Sequence, residues 1–144
     1  MNPAYDENNV FAQILRGEAP CIKLYEDDQT LAIMDIMPQT HGHVLVIPKE
    51  PAITLYDLSE ESANACLKTV RLMGRAVEKA MGINGSTLFQ HNGRVAGQSV
   101  PHFHFHIFPG SLKGLFEHAK RFEEPEVLEE NARKIIAALA TLDH

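Results

Sequence analysis

The chain has 144 residues, of which 44% are hydrophobic and 22% charged, with a formal net charge of −6 at pH 7. This size and composition are typical of one globular domain with a single core, and the acidic balance argues against binding to the phosphate backbone of nucleic acids. Cys21 and Cys66 form no pattern typical of a disulfide framework or zinc ribbon, and we see no membrane-spanning run or signal peptide. We therefore expect a cytoplasmic protein without nucleic-acid or membrane partners.

The first 50 residues predict a short helix followed by three strands. Asn8 or Asn9 can cap a helix whose apolar positions recur at helical spacing and which ends near Gly17. Three runs rich in aliphatic and β-branched residues follow, at 21–27, 30–36 and 43–49. Because turn-forming residues separate these runs, we expect consecutive antiparallel strands.

The remaining residues predict the main helix, two more strands and a closing helix. Ser59 opens a long segment with apolar residues at helical spacing, which Gly82 closes. Residues 86–92 and 99–108 are predicted strands on either side of a glycine-containing loop, and residues 123–142 are predicted to form a helix. Because the strands are grouped around one long helix, we predict an α+β domain with a mainly antiparallel sheet of about five strands.

Three histidines, His102, His104 and His106, occupy alternate positions in the last predicted strand. Side chains two residues apart in a strand point to the same face, so the three imidazoles would form a row opposite an apolar face of phenylalanine and isoleucine. An exposed face of solvated histidines is one interpretation. The separation of a polar from an apolar face favours a function instead.

Two kinds of chemistry would use such a row. Imidazole is the commonest transition-metal ligand, and a further ligand to zinc would come from His41, His43 or His91. In phosphate chemistry, one imidazole attacks phosphorus while protonated neighbours and backbone N–H groups neutralise the oxygens. Residues 97–99, directly before the row, offer flexible backbone, an amide and a hydroxyl to a phosphate.

The stretch AGQSVPHFHFHIFP, from Ala96 to Pro109, resembles the motif of the histidine triad (HIT) family, in which three alternating histidines follow a Gly-Gln-Ser/Thr-Val element. FAQILRGEAP, YEDDQTLAIMDIMPQTHGHVLVIPKE and the long helix also look like family stretches in the same order. The resemblance, closest to short bacterial HIT-like nucleotide hydrolases, covers about residues 8–110. It implies a single HIT domain over 1–144 with a C-terminal helical extension at about 111–144, and a homodimer whose sheets join.

The resemblance implies a set of catalytic residues. In the family the middle histidine is the nucleophile, so His104 would attack the α-phosphate of a nucleotide and form a covalent nucleotidyl-imidazole. His106 and His43 would bind the phosphate and maintain the protonation pattern of the site. His102 would be an orienting residue, and Ser99 matches the family position near the leaving group.

The resemblance also implies a nucleotide-binding set. Asp35 would accept hydrogen bonds from both ribose hydroxyls, which suits a carboxylate because it is acceptor-only. Gln98 matches the amide of the phosphate site. The pocket for the base would be formed by four apolar side chains, Phe11, Ile14, Ile33 and Ile36. By periodicity alone, these four are ordinary core residues.

Two positions depart from the family pattern. His91 stands where many members have an asparagine that contacts the phosphate, so either the following Asn92 makes that contact or the contact differs. Gly110 stands where an arginine is common after the triad, and it supplies no cation.

Together these features predict a hydrolase of purine nucleoside 5′-phosphoramidates or related AMP conjugates that needs no cofactor. Three alternatives stay open: a dinucleoside polyphosphate hydrolase, a metal-dependent hydrolase with zinc at the histidines, and a nucleotide-binding or signalling module with negligible turnover. The complete set of histidines, serine and glutamine argues against the last, because binding alone requires no nucleophile.

Overall fold

The computed structural model describes residues 4–36, 41–112 and 124–141. The chain divides into two compact units, Met1–Leu112 and Lys113–His144. In the second unit, the described residues 124–141 include a helix, Pro125–Leu139, at the position predicted from the sequence. Within the described ranges, no helix combines the length and hydropathy that crossing a bilayer requires.

A six-residue helix, α1 (Val10–Leu15), begins the first unit. Its N-terminus is capped by Asn9, whose Oδ1 accepts a hydrogen bond from the backbone N–H of Ala12 at 2.9 Å. This confirms the predicted helix and shows that Asn9, not Asn8, is the cap.

Five strands form one sheet, in which every neighbouring pair is antiparallel. The strand order is β1-β2-β3-β5-β4. The strands are β1 (Lys23–Glu26), β2 (Thr30–Met34), β3 (Val44–Pro48), β4 (Ser86–Phe89) and β5 (Phe105–Pro109). The predicted α+β class and the number of strands are confirmed.

The last strand begins later than predicted. The sequence predicted a strand over residues 99–108, whereas β5 begins at Phe105, so the first two histidines of the triad precede it. The backbone N–H of Phe103 donates to the carbonyl of Ala52 at 2.8 Å, and that of His102 donates to a carbonyl two residues before it. Because these bonds lie outside the strand ladder, the three imidazoles do not form a single row along a strand.

The main helix, α2 (Glu60–Met81), covers one face of the sheet. Ser59 caps its N-terminus by accepting from the N–H of Ser62 at 3.1 Å, and Gly82 ends it in the left-handed conformation with φ 66°. Both predicted boundaries are confirmed. The core on this face is built from buried apolar residues: Ala32, Val44, Val46, Val70, Met73, Val77 and Ile107.

The opposite face of the sheet packs against α1. Its buried core contains alternate residues of β2 and β3 together with a phenylalanine of α1: Leu31, Ile33, Leu45, Ile47 and Phe11. Since side chains alternate along a strand, the odd-numbered positions of β2 and β3 point toward α1. This alternation decides which polar residues just beyond the strands reach the same face.

Candidate active site

A cleft of about 440 Å³ opens on the face of the sheet that packs against α1. Its apolar lining includes Val10, Phe11, Ile14, Cys21, Ile33, Ile36, Leu45, Phe89 and Val100. Its polar lining consists of Asp35, His43, His91, Ser99, His104 and His106. Among the described residues that line it there is no lysine or arginine, so N–H and O–H donors must stabilise any anion that binds here.

Strand alternation brings Asp35 and His43 together. Asp35 directly follows β2 and His43 directly precedes β3, and both continue the odd-numbered series that faces α1. The N–H of Asp35 donates to the carbonyl of His43 at 3.1 Å, which fixes the two backbones side by side. On β5, His106 pairs with Leu45 of β3 and therefore lies on the same face.

A chain of polar contacts joins these three residues. Oδ2 of Asp35 lies 3.3 Å from Nδ1 of His43, and Nε2 of His43 lies 2.9 Å from Nδ1 of His106. A carboxylate only accepts, so Nδ1 of His43 carries the proton and its Nε2 accepts from Nδ1–H of His106. This leaves the lone pair of His106 on Nε2. The chain connects Asp35 to His106 through hydrogen-bonding atoms.

The same three residues form a cluster with a donor set that suits a metal. Their candidate ligand atoms lie within 4.8 Å of one another, and two imidazoles with a carboxylate suit zinc. With Zn–N bonds of about 2.0–2.1 Å, however, two ligand nitrogens of a tetrahedral site lie about 3.3 Å apart. The observed 2.9 Å between His43 and His106 fits a shared proton better than a shared ion.

His104 presents one nitrogen for chemistry. Its Nδ1 lies 2.7 Å from the carbonyl oxygen of His102, and because a carbonyl only accepts, Nδ1 carries the proton. The lone pair is then on Nε2. The ring is 6% exposed and contacts Phe11 edge-on with ring centroids 4.9 Å apart. Burial lowers the pKa of His104, so the imidazole is neutral and nucleophilic at neutral pH.

His102 is fully buried and does not line the cleft. Its Nε2 lies 2.8 Å from the carbonyl oxygen of Pro48, and its Nδ1 lies 2.6 Å from the hydroxyl of Tyr5. Burial lowers the pKa of His102 to about 4, so the ring is neutral at physiological pH. The orienting role that the family resemblance implies for His102 stays a prediction; the structure shows that its carbonyl oxygen contacts Nδ1 of His104.

His106 is stacked on an aromatic ring that the sequence analysis did not identify. Phe89 lies parallel to it, with ring centroids 4.3 Å apart and an interplanar angle of 12°. The two residues are paired across β4 and β5, which is a contact that alternation within one strand cannot reveal. Burial, with the neighbouring histidines, lowers the pKa of His106 to about 3.

Gln98 supports the loop before the triad. Its Oε1 accepts from the N–H of Gly93 at 2.7 Å, and its Nε2 donates to the carbonyls of Ile53 and Val100. The side chain is 5% exposed and is not among the residues that line the cleft. Ser99, the next residue, does line it and is exposed.

The structure places His91, and not Asn92, at the cleft. Oδ1 of Asn92 accepts from the N–H of Leu55 at 2.8 Å and from Nε2 of Gln90 at 2.6 Å. Because the amide oxygen is used in this way, Asn92 holds two segments together. His91 lies 5.8 Å from His106 between ring centroids.

Nine of the twelve residues predicted for the site line one cleft: Phe11, Ile14, Ile33, Asp35, Ile36, His43, Ser99, His104 and His106. The other three do not line the cleft, and their side chains form hydrogen bonds with backbone atoms: Asn92, Gln98 and His102. Ile36 is 75% exposed, so a planar ligand in the cleft would cover an apolar side chain that water now meets.

Comparisons with known proteins find similar sequences. The HIT domain model matches residues 16–112. The adenosine 5′-monophosphoramidase hnt1 of Schizosaccharomyces pombe is 45% identical over 100 residues, which cover 69% of this chain and 72% of that protein. The adenylylsulfatase HINT3 of Arabidopsis thaliana is also 45% identical over 100 residues, and the chain spans about half of its length, 51%.

Solved structures share the fold. A HIT family protein of Bacillus subtilis superposes with a TM-score of 0.78 at 35% identity, covering 91% of this chain and 96% of that one. A Hit-like protein from Bartonella henselae, described as involved in cell-cycle regulation, gives a TM-score of 0.74 at 44% identity, covering 94% and 98%.

Proposed function

The chain belongs to the HIT domain family, and from this premise we propose that it hydrolyses purine nucleoside 5′-phosphoramidates or related AMP conjugates through a covalent nucleotidyl-histidine. The observation that carries the proposal is the tautomer of His104. Its Nδ1–H is held by the carbonyl of His102, so the Nε2 lone pair is the one that meets a substrate in the cleft. Relatives named as a phosphoramidase and an adenylylsulfatase support the substrate class.

The reaction has two steps. Nε2 of His104 attacks the α-phosphorus, a P–N bond forms to the enzyme, and the bond from phosphorus to the leaving amine breaks as that amine takes up a proton from solvent. Water then attacks the same phosphorus and gives up a proton to solvent, the P–N bond to His104 breaks, AMP is released, and the lone pair returns to Nε2. Asp35, His43 and His106 form the contact chain along which a proton reaches and leaves the site.

The nucleotide would bind across both parts of the lining. The apolar side chains of Phe11, Ile14 and Ile33 suit a purine ring, and Asp35 suits the ribose hydroxyls. Ser99 supplies a hydroxyl beside the phosphate or leaving group. The lack of lysine and arginine among the described residues of the lining disfavours the longer, more highly charged chain of a dinucleoside polyphosphate.

The test compares the rates at which the protein hydrolyses adenosine 5′-phosphoramidate and a diadenosine polyphosphate at equal concentration. The release of AMP is the measured signal. We expect the phosphoramidate to be the better substrate, and His104→Ala to lower its rate by roughly three orders of magnitude or more. AMP binding without turnover would identify a binding module instead. Faster cleavage of the diadenosine substrate would identify the polyphosphate hydrolase.

We propose that the reaction needs no metal, because the hydrogen bond between His43 and His106 already uses the nitrogens that an ion would need. The measurement is the rate after dialysis against EDTA. An undiminished rate is expected, whereas a rate that vanishes and returns with zinc would establish the metal-dependent alternative.

We further propose a cytoplasmic homodimer. Cys21 and Cys66 are both unpaired, as a reducing compartment requires. β4 is an edge strand of the described sheet and exposes Leu88, which is 49% accessible, so a second sheet edge could pair there. Sedimentation equilibrium is expected to give twice the chain mass of 16.0 kDa, and a monomer would contradict it.

A further inference from the structure

Tyr5 reaches the histidine triad from the opposite end of the unit's sequence. Its hydroxyl lies 2.6 Å from Nδ1 of His102, although 97 residues separate the two in the chain. Their rings meet edge-on, with centroids 5.7 Å apart. Tyr5 precedes the residues 16–112 that match the HIT domain model, and it does not line the cleft.

The direction of this hydrogen bond follows from the other side of the imidazole. The carbonyl of Pro48 only accepts, so Nε2 of His102 carries a proton and donates it at 2.8 Å. The ring is buried and neutral, which leaves Nδ1 as an acceptor. The Tyr5 hydroxyl is therefore the donor, and both nitrogens of a fully buried ring are satisfied.

The backbone of His102 transmits this restraint to the nucleophile. Its carbonyl oxygen accepts from Nδ1–H of His104 at 2.7 Å, and that bond selects the tautomer with the lone pair on Nε2. A ring held at both nitrogens cannot swing, so the peptide that carries this carbonyl stays in place. The series Tyr5 to His102 to His104 thus links the N-terminal segment to the reacting atom.

We propose that Tyr5 is a positioning residue for this enzyme, acting through His102 to hold His104 with Nε2 directed into the cleft. The catalytic consequence rests on the proposed function. The consequence for the hydrogen bonds of the two imidazoles does not, so the two can be tested separately.

Tyr5→Phe is the decisive variant, because it removes the hydroxyl and keeps the ring that packs against His102. Tyr25→Phe is the matched control, since the Tyr25 hydroxyl donates to Asp27 at 3.0 Å and the side chain packs against the core on the α2 face of the sheet. For adenosine 5′-phosphoramidate we expect Tyr5→Phe to lower kcat about tenfold with KM within about twofold, and Tyr25→Phe to leave both within about twofold. A parent-like kcat for Tyr5→Phe would overturn the proposal.

Nitrogen-15 NMR of the imidazoles gives a readout that does not depend on turnover. In Tyr5→Phe we expect the Nδ1 signal of His102 to move to the position of a nitrogen without a hydrogen-bond donor, and the Nδ1–H proton of His104 to exchange faster with water. Tyr25→Phe should show neither change. If the parent fails to hydrolyse the phosphoramidate, the proposed function fails, and these signals still decide the Tyr5 contact: unchanged signals in Tyr5→Phe would refute it.

A double-mutant cycle separates action through His102 from a general loosening of the fold. In a His102→Gln background, Tyr5→Phe should lower kcat by a smaller factor than it does in the parent, because the residue that transmits its effect has changed. Equal losses in the two backgrounds would mean that Tyr5 acts by another route.

Discussion

At the scale of single residues, the chemistry depends on which nitrogen of each histidine carries a proton. His102 and His104 each face a carbonyl oxygen, which cannot donate, and His43 faces a carboxylate. These acceptors assign the tautomers of all three imidazoles, and that of His106 follows from its contact with His43. The result is a site whose buried imidazoles are neutral and whose His104 lone pair faces the cleft.

The pH dependence of the reaction tests this assignment. An ordinary imidazole titrates near 6.5, but burial lowers the pKa of His104, so its lone pair persists in more acidic solution. We expect the acid limb of kcat/KM for adenosine 5′-phosphoramidate to fall clearly below pH 6.5. The uncatalysed rate at each pH is the control, and a midpoint at or above 6.5 would show that the buried position does not govern this group.

Asp35 contacts His43 and is also the proposed ribose ligand, and the two roles can be separated. Asp35→Asn should weaken hydrolysis of adenosine 5′-phosphoramidate about tenfold or more, since a charged hydrogen-bonding partner is lost. The parent should hydrolyse the 2′,3′-dideoxy substrate slowly, and Asp35→Asn should lower that rate only a little further. If the variant loses the same factor on both substrates, Asp35 acts only through His43.

At the scale of elements, the local signals were sufficient for the helices and insufficient for the last strand. Ser59 and Gly82 mark helix ends by bonds within a few residues, so the sequence alone locates them, and it narrows the cap of α1 to Asn8 or Asn9. The start of β5 depends instead on the bond from Phe103 to Ala52, which is remote in sequence. Residues 99–104 are therefore not part of β5, although periodicity predicted a strand there.

Gly42 lies in the turn that positions His43 before β3, and this position tolerates a side chain poorly. Gly42 has φ +83°, and a Cβ there would lie 2.9 Å from Cγ of Met81 and 3.2 Å from Pro109. Gly17 has φ +77° with open space around it, so Gly17→Ala carries only the conformational strain. We expect Gly42→Ala to lower the free energy of unfolding by about 1 kcal/mol or more beyond Gly17→Ala and to reduce kcat as well. Equal destabilisation with full activity would contradict this role of the turn.

At the scale of the whole molecule, buried neutral histidines make the fold sensitive to acid. The pKa of His102 is about 4 in the folded chain and near 6.5 when unfolded, so between these values the unfolded state binds more protons. The contribution of neutral His102 to the free energy of unfolding is therefore fully present above pH 6.5 and is lost as the pH falls toward 4.

Urea unfolding at pH 7 and at pH 4 measures this effect. His102 alone should contribute a loss of about 3 kcal/mol in the free energy of unfolding across that range. His102→Gln, which cannot titrate, should show a correspondingly smaller loss, and the difference between the two proteins isolates the histidine from the carboxylates. Parallel pH profiles would count against a buried neutral His102.

The site was more predictable from sequence than its supporting contacts. Asp35, His43 and His106 could be predicted because the chain resembles the family motif, and the structure places all three at one cleft. The hydrogen bonds of Gln98 and Tyr5 could not be predicted, because an amide or hydroxyl finds its partner only after distant segments meet. The predicted phosphate contact of Asn92 likewise depends on a loop whose bonds to Leu55 no local pattern reveals.

If His104 carries the nucleotide during turnover, a covalent adenylyl-histidine intermediate forms on it and can be trapped. The protein is mixed with adenosine 5′-phosphoramidate, quenched within a turnover, digested and examined by mass spectrometry, beside His104→Ala. We expect an adenylyl group on the peptide at His104 in the parent and none in the variant. An adenylyl group mapped to another residue, or rapid hydrolysis by the variant, would contradict it.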